Sequence, residues 1–187
     1  MQRREVLNAL AVAGMASVVS PSSAAEHGST ESSMTLQSEP LFTLALKTAA
    51  PLDVGTVSTG RRMVGPVIGG SFAGPRLHGE VLPVGGDWLV VRKDHSLVLD
   101  VRAMLKTHRG EVIYMTYGGR WLVPPDLRAE LFDPVTGPLV DPRRFYLRIN
   151  PLFETGSPEV AWLNDVVAIG LGRPIANGIQ YDVFAIK

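Results

Sequence analysis

The sequence predicts an all-β fold, a closed antiparallel β-barrel of about nine or ten strands with one or two short helical turns. Three observations carry the prediction. Helical periodicity is almost absent from residue 41 onward. Short runs of β-branched and aromatic residues recur between Gly and Pro. The 19 Gly and 14 Pro would break any long helix repeatedly.

The elements follow in chain order. Residues 1–25 read as a secretory signal of twin-arginine type: Arg3-Arg4, an apolar run from Ala9 to Val19, and small residues such as Ser23 and Ala25 before the expected cut. The run is too short to span a bilayer, so no stable membrane insertion is expected after the signal is removed. The expected location is periplasmic or secreted. Residues 26–40, rich in Ser, Thr and Glu, read as a disordered linker, and 41–187 as the barrel domain. Strands are expected at 41–46, 58–66, 76–83, 88–92, 96–106, 112–117, 145–150, 166–171 and 179–186. Turns are expected at Val84-Gly85-Gly86-Asp87, Lys93-Asp94-His95 and Thr107-His108-Arg109-Gly110, with a type I′ turn at Asn177-Gly178. The proline-rich stretch 121–144 reads as a long excursion with a helical turn near 126–131, and 158–164 as another short helix. Short links favour a meander, which loses its free edges by closing.

Composition narrows the function. At 187 residues the chain is about one domain, 45% hydrophobic and 19% charged. A formal net charge of zero removes the usual electrostatic basis for nucleic-acid binding. With no cysteine, thiolate catalysis, disulfides and thiolate-bound metals are excluded. The four histidines show no ligand spacing, so no metal and no cofactor are expected.

Period-two reading pairs Asp100 with Arg102 on one strand face, Tyr146 with Arg148 on another, and Ile113 with Met115 and Tyr117 on a third. A face mixing Arg, Tyr, Asp and His suits a pocket lining as well as a wetted exterior.

Gly60-Arg61-Arg62, the run from Gly69 to Gly79, and Val81-Leu82-Pro83-Val84-Gly85-Gly86-Asp87-Trp88 resemble the DUF3237 family, also called UPF0311. Asp100-Val101-Arg102, Tyr146-Leu147-Arg148, Pro151-Leu152-Phe153-Glu154-Thr155, Trp162-Leu163-Asn164 and the final strand extend the resemblance over about residues 41–187. The resemblance implies a small, single-domain, lipocalin-like barrel and brings no general activity with it.

The segment Gly69–Pro75 lacks the end of a phosphate loop and reads as a tight turn or a lid over the barrel mouth. Arg62, Arg76, Arg102 and Arg148 stand among apolar neighbours, so each is expected inside the barrel, paired with Asp87, Asp100 or Glu154 or meeting an anionic ligand. Tyr117 and Tyr146 would add hydrogen bonds or stacking. Two functions result. The first is an exported barrel that binds a small, mostly apolar or aromatic molecule with an acidic or phenolic group. The alternative is a cofactor-independent isomerase, cyclase or lyase, with His78, Asp100 or Glu154 as the base and an arginine stabilising enolate-like charge. The sequence leaves the oligomeric state open.

Overall fold

The computed structural model describes residues 35–187, and the expected signal 1–25 lies outside the described residues, as does most of the linker. The fold begins earlier than residue 41, because β1 spans Ser38–Thr48. The other strands are β2 (Leu52–Val57), β3 (Gly60–Ala73), β4 (His78–Asp87), β5 (Val90–Val91), β6 (Leu97–Thr107), β7 (Val112–Leu122), β8 (Tyr146–Glu154), β9 (Ala168–Ile175) and β10 (Gly178–Ile186). Eight of them close a ring in the order β1-β10-β9-β8-β7-β6-β4-β3, and β3 returns to pair with β1. All pairs are antiparallel. The short strands β2 and β5 lie off this ring, β2 on β3 and β5 between β3 and β6. The expected closed barrel is therefore present.

Two expected turns are strands instead. Gly69 and Gly70 stand inside β3 at φ 137° and 140°, and Gly85 inside β4 at φ 123°. Each marks a register shift, between Pro66 and Gly70 in the β3–β4 ladder and between Val81 and Gly85 in the β4–β6 ladder. These are bulges, and they bend long strands around a small barrel. Gly69–Pro75 is accordingly no lid over a mouth, and Val84–Asp87 continues β4. The last hairpin pairs Ile175 with Gly178, so Ala176 and Asn177 form its centre. Only Asn177 takes a positive φ there, which is not the type I′ geometry expected.

One end of the barrel is capped by a 3-10 helix, Pro158–Asp165, which buries Val160 and Leu163. Near the other end the excursion folds back on the core through Val123, Leu127, Leu131, Val140 and Phe145. It carries the one α-turn among the described residues, α1, Arg128–Leu131. The interior is filled by Leu44, Phe72, Leu105, Ile113, Met115, Leu147 and Ile149, each 2% exposed or less. Eight strands leave an interior just wide enough for side chains to fill.

That packing corrects the expected arginine lining. Arg102, Arg148, Tyr146 and Asp100 keep the predicted facing partners, but those faces are the exterior. Arg62 is half-buried beyond the ring and donates to the Trp88 carbonyl. Arg76 lies in the β3–β4 turn with its guanidinium 3.5 Å over the Trp162 ring. The reason is physical: a filled hydrocarbon interior offers a guanidinium neither room nor partner, and an unpaired buried charge is costly.

Candidate functional site

Among the described residues, a polar cluster faces inward at the centre of these ladders. In an antiparallel pair, residues directly opposite one another point to the same side. Asp87 is opposite Val101, which is opposite Tyr117, and Val101 is 2% exposed. Asp87 and Tyr117 therefore share the inner face. Tyr181 joins them from β10, opposite fully buried Leu44 on one side and Gly172 on the other. The rings of Tyr117 and Tyr181 meet edge-on with centroids 5.6 Å apart.

Glycines make room for this arrangement. A Cβ on Gly172 would stand 2.4 Å from Leu147 Cγ and 2.7 Å from Tyr181 Cε1. Gly119 and Gly170 likewise yield their inner space to Ile149.

The electrostatics of the cluster are distinctive. Burial pushes the Asp87 carboxyl up to about 6. The Asp100 backbone N–H donates to its Oδ1 at 3.0 Å and pulls the other way, while the Asp100 carboxylate repels and adds to the rise. No ion pair to Asp87 is formed among the described residues. Burial, first, also raises both phenols, and the Asp87 charge raises each of them further. A carboxyl that titrates just below neutrality thus faces two hydroxyls that stay protonated. Asp87 is half-buried while Tyr117 and Tyr181 are buried, so the carboxyl is the member nearest solvent. Two rows further along β7, the indole Nε1 of Trp121 is buried without a hydrogen-bond partner.

Among the expected site residues, Tyr117 alone belongs to this cluster. Asp100 and Arg102 form an exterior ion pair at 2.8 Å, with Arg102 5.2 Å from the Trp88 ring. His78 stacks on His108 with centroids 3.9 Å apart at the capped end, both exposed. Glu154 is exposed at the end of β8, separated from β4 by β6 and β7. The three expected bases therefore do not converge. A cleft of about 190 Å³ at the capped end is lined by Arg76, His108, Arg109, Glu111 and Glu159 among others. Among the described residues, no three metal-binding side chains come together.

The sequence reads Asp87 as a turn residue and a partner for arginine, and gives Tyr181 no role. The signal was in parity. Tyr181 alternates with Val183 and Ala185 as Tyr117 does with Ile113 and Met115, which places both phenols on apolar faces.

Comparison with known proteins agrees with this architecture. The model of a family described as "Protein of unknown function (DUF3237)" matches residues 36–186. The chain belongs to the DUF3237 family. A UPF0311 protein of Rhodopseudomonas palustris (strain TIE-1) is 31% identical to this DUF3237 chain over 152 residues, covering 81% of the chain and 97% of the relative. The crystal structure of a conserved protein of unknown function from the same species superposes with a TM-score of 0.75 at 28% identity, over 82% of this chain and 99% of that one. A β-barrel-like protein from Acinetobacter baumannii AYE gives a TM-score of 0.71 at 33% identity, over 82% and 98%. Both solved structures share the barrel fold, and none of the three names states an activity.

Proposed function

We propose that this DUF3237 barrel takes a small, mostly apolar, neutral molecule against the solvent-facing side of Asp87, outside the packed interior, and moves a proton on it without a cofactor, as an isomerase, cyclase or lyase would. The observation that carries the reading is a carboxyl raised to about 6, facing inward beside two phenols and free of any cation. A base that titrates near working pH combines a high ionised fraction with useful proton affinity. Hydroxyls that remain protonated are donors for oxygen charge that develops as a C–H or phenolic O–H is removed. An anionic ligand fits this cluster poorly because Asp87 would repel it, so the phenolic or enolisable part of the expected ligand class is the part retained.

β-Tetralone, a neutral aromatic ketone, tests the reading by proton–deuterium exchange at its α-carbon, followed by NMR in D₂O. Exchange is expected to be saturable, with its rate rising through an apparent pKa near 6. Asp87→Asn should remove at least about a hundredfold of that rate, the usual contribution of a positioned base. Saturable binding with no exchange would leave a carrier function and end the catalytic one. No binding and no exchange would end both.

We infer from the sequence that residues 1–25 direct the chain out of the cytoplasm, on the strength of Arg3-Arg4 and the short apolar run that follows. Replacing Arg3 and Arg4 by lysine should hold the chain inside cells if the twin-arginine route is used, and fractionation reads the result.

A further inference from the structure

We propose a second binding site on the outer wall of the barrel, a groove that takes an aromatic or apolar molecule through its anionic group. It does not depend on the Asp87 cluster. Two hollows of about 520 and 530 Å³ meet at Arg143, Phe145 and Tyr146, where the excursion rejoins β8. The second is also lined by Arg148, Leu171, Arg173 and Asp182.

The strand register concentrates positive charge along this wall. Arg148 stands directly opposite Arg120 in the β7–β8 ladder and opposite Leu171 in the β8–β9 ladder. Two residues beyond Leu171, Arg173 points the same way. Like charges placed directly opposite one another destabilise a sheet. A carboxylate between them would relieve that repulsion, and none of the ion pairs among the described residues involves any of the three. Arg120 and Arg148 each donate only to the carbonyl of the preceding residue, Gly119 and Leu147, at 2.8 and 2.9 Å. Arg173 lies beside the Gln180 side-chain amide, whose oxygen accepts from it when the amide is turned to face the guanidinium. Two carboxylates line the groove: Asp182 accepts from the Thr43 hydroxyl at 2.9 Å, and Asp94, in the first hollow, accepts from the Ser96 hydroxyl at 2.7 Å. Arg143 is held by Asp141 at 2.6 Å.

Guanidinium groups without carboxylates retain donors in the planar fork that matches a carboxylate, sulfonate or phosphate. Their apolar surroundings set the rest of the ligand. The Arg148 guanidinium lies 4.9 Å from the centre of the Tyr146 ring, which is 47% exposed, and Leu171 is 40% exposed on the neighbouring strand. An anion with a flat apolar body would lay that body on Tyr146 and Leu171 and turn its charge to Arg148 and Arg173. Arg148 and Tyr146, expected inside the barrel, thereby act together on its outside.

The test uses anilinonaphthalene sulfonate as probe and uncharged N-phenylnaphthylamine as its neutral counterpart, both read by fluorescence on the folded chain at low salt. Arg148→Gln and Arg173→Gln should each weaken the sulfonate about tenfold, the worth of one lost charge-assisted hydrogen bond. The neutral amine should be unaffected, as should sulfonate binding in Arg109→Gln at the capped end and in Asp87→Asn. All these arginines are solvent-exposed or half-buried, and circular dichroism verifies that the variants fold. Equal sulfonate affinity in wild type and in the Arg148/Arg173 double variant would overturn the proposal. So would a parallel loss of the neutral amine, which would mean that only the apolar surface was being read.

Discussion

At the scale of single residues, Asp87 makes the sharpest statement. Its carboxyl rises from 3.8 to about 6 on folding, so the native state holds this proton more tightly than the unfolded chain does. Stability contributed by such a group is present at low pH and is lost as pH rises from about 4 to above 6. The loss amounts to about 3 kcal/mol at neutral pH if the whole rise is realised. Asp87→Asn removes the titration and keeps an oxygen for the Asp100 N–H. The stability of the variant relative to wild type, from urea unfolding, should therefore grow between pH 4 and pH 7. A difference that stays flat across that range would show the carboxyl to be solvated in the native state. Comparing the two chains also cancels Asp53, Asp94, Asp133 and Asp141, whose carboxyls are held low by hydrogen bonds and, for all but Asp133, by a nearby arginine. The sequence announced Asp100, Glu154 and His78 more loudly than Asp87, because a charged residue inside an apolar run attracts notice. Period two tells which residues share a face but not which face is inside. Asp100 and Arg102 share theirs, as read, and both are exterior.

At the scale of elements, the strands were legible and the bulges were not. Alternation locates eight of the ten strands to within a few residues, while the stretch 58–66 covers the β2–β3 turn and only the first half of β3, and β2 is missed. A glycine pair ordinarily means a turn, yet Gly69-Gly70 and Gly85-Gly86 stand inside strands and bend them. The distinction lies in close approach across the ladder, which no local pattern records. A Cβ on Gly70 would stand 2.0 Å from the Ala45 carbonyl oxygen, with φ already at 140°. A Cβ on Gly172 would collide with Leu147 and Tyr181 in the interior instead. The two substitutions should differ in kind. Gly172→Ala is expected to cost about 1–3 kcal/mol by overpacking, since side chains can shift a little. Gly70→Ala meets rigid backbone in a left-handed conformation and should cost more. Thermal unfolding of both variants ranks them, and a milder effect at Gly70 would contradict the bulge as the corner of the barrel.

At the scale of the whole molecule, closure governs where stability resides. In the ring each strand is paired on both sides, which removes the free edges of an open sheet. β2 is the exception. It pairs only with β3, over six residues, and its Leu52, Val54 and Val57 are 64%, 61% and 41% exposed. Little apolar surface is buried there, and its outer backbone groups have no strand beyond them. Opening β2 need not disturb the ring, because β3 keeps its pairing with β1 and β4 through the rest of its length. The Asp87 cluster, by contrast, draws on β4, β7 and β10, which lie on three sides of the ring and can only separate if the ring opens. Amide exchange should therefore divide the molecule in two. Amides of β2 are expected to exchange at least roughly a hundredfold faster than those of β6 and β7, as suits a segment that opens without global unfolding. The amides flanking Tyr117 and Tyr181 should exchange only with the global transition. Protection of β2 equal to that of β7 would mean that the outer strand and the ring unfold as one unit, and that the exposed edge is held by contacts beyond its ladder with β3.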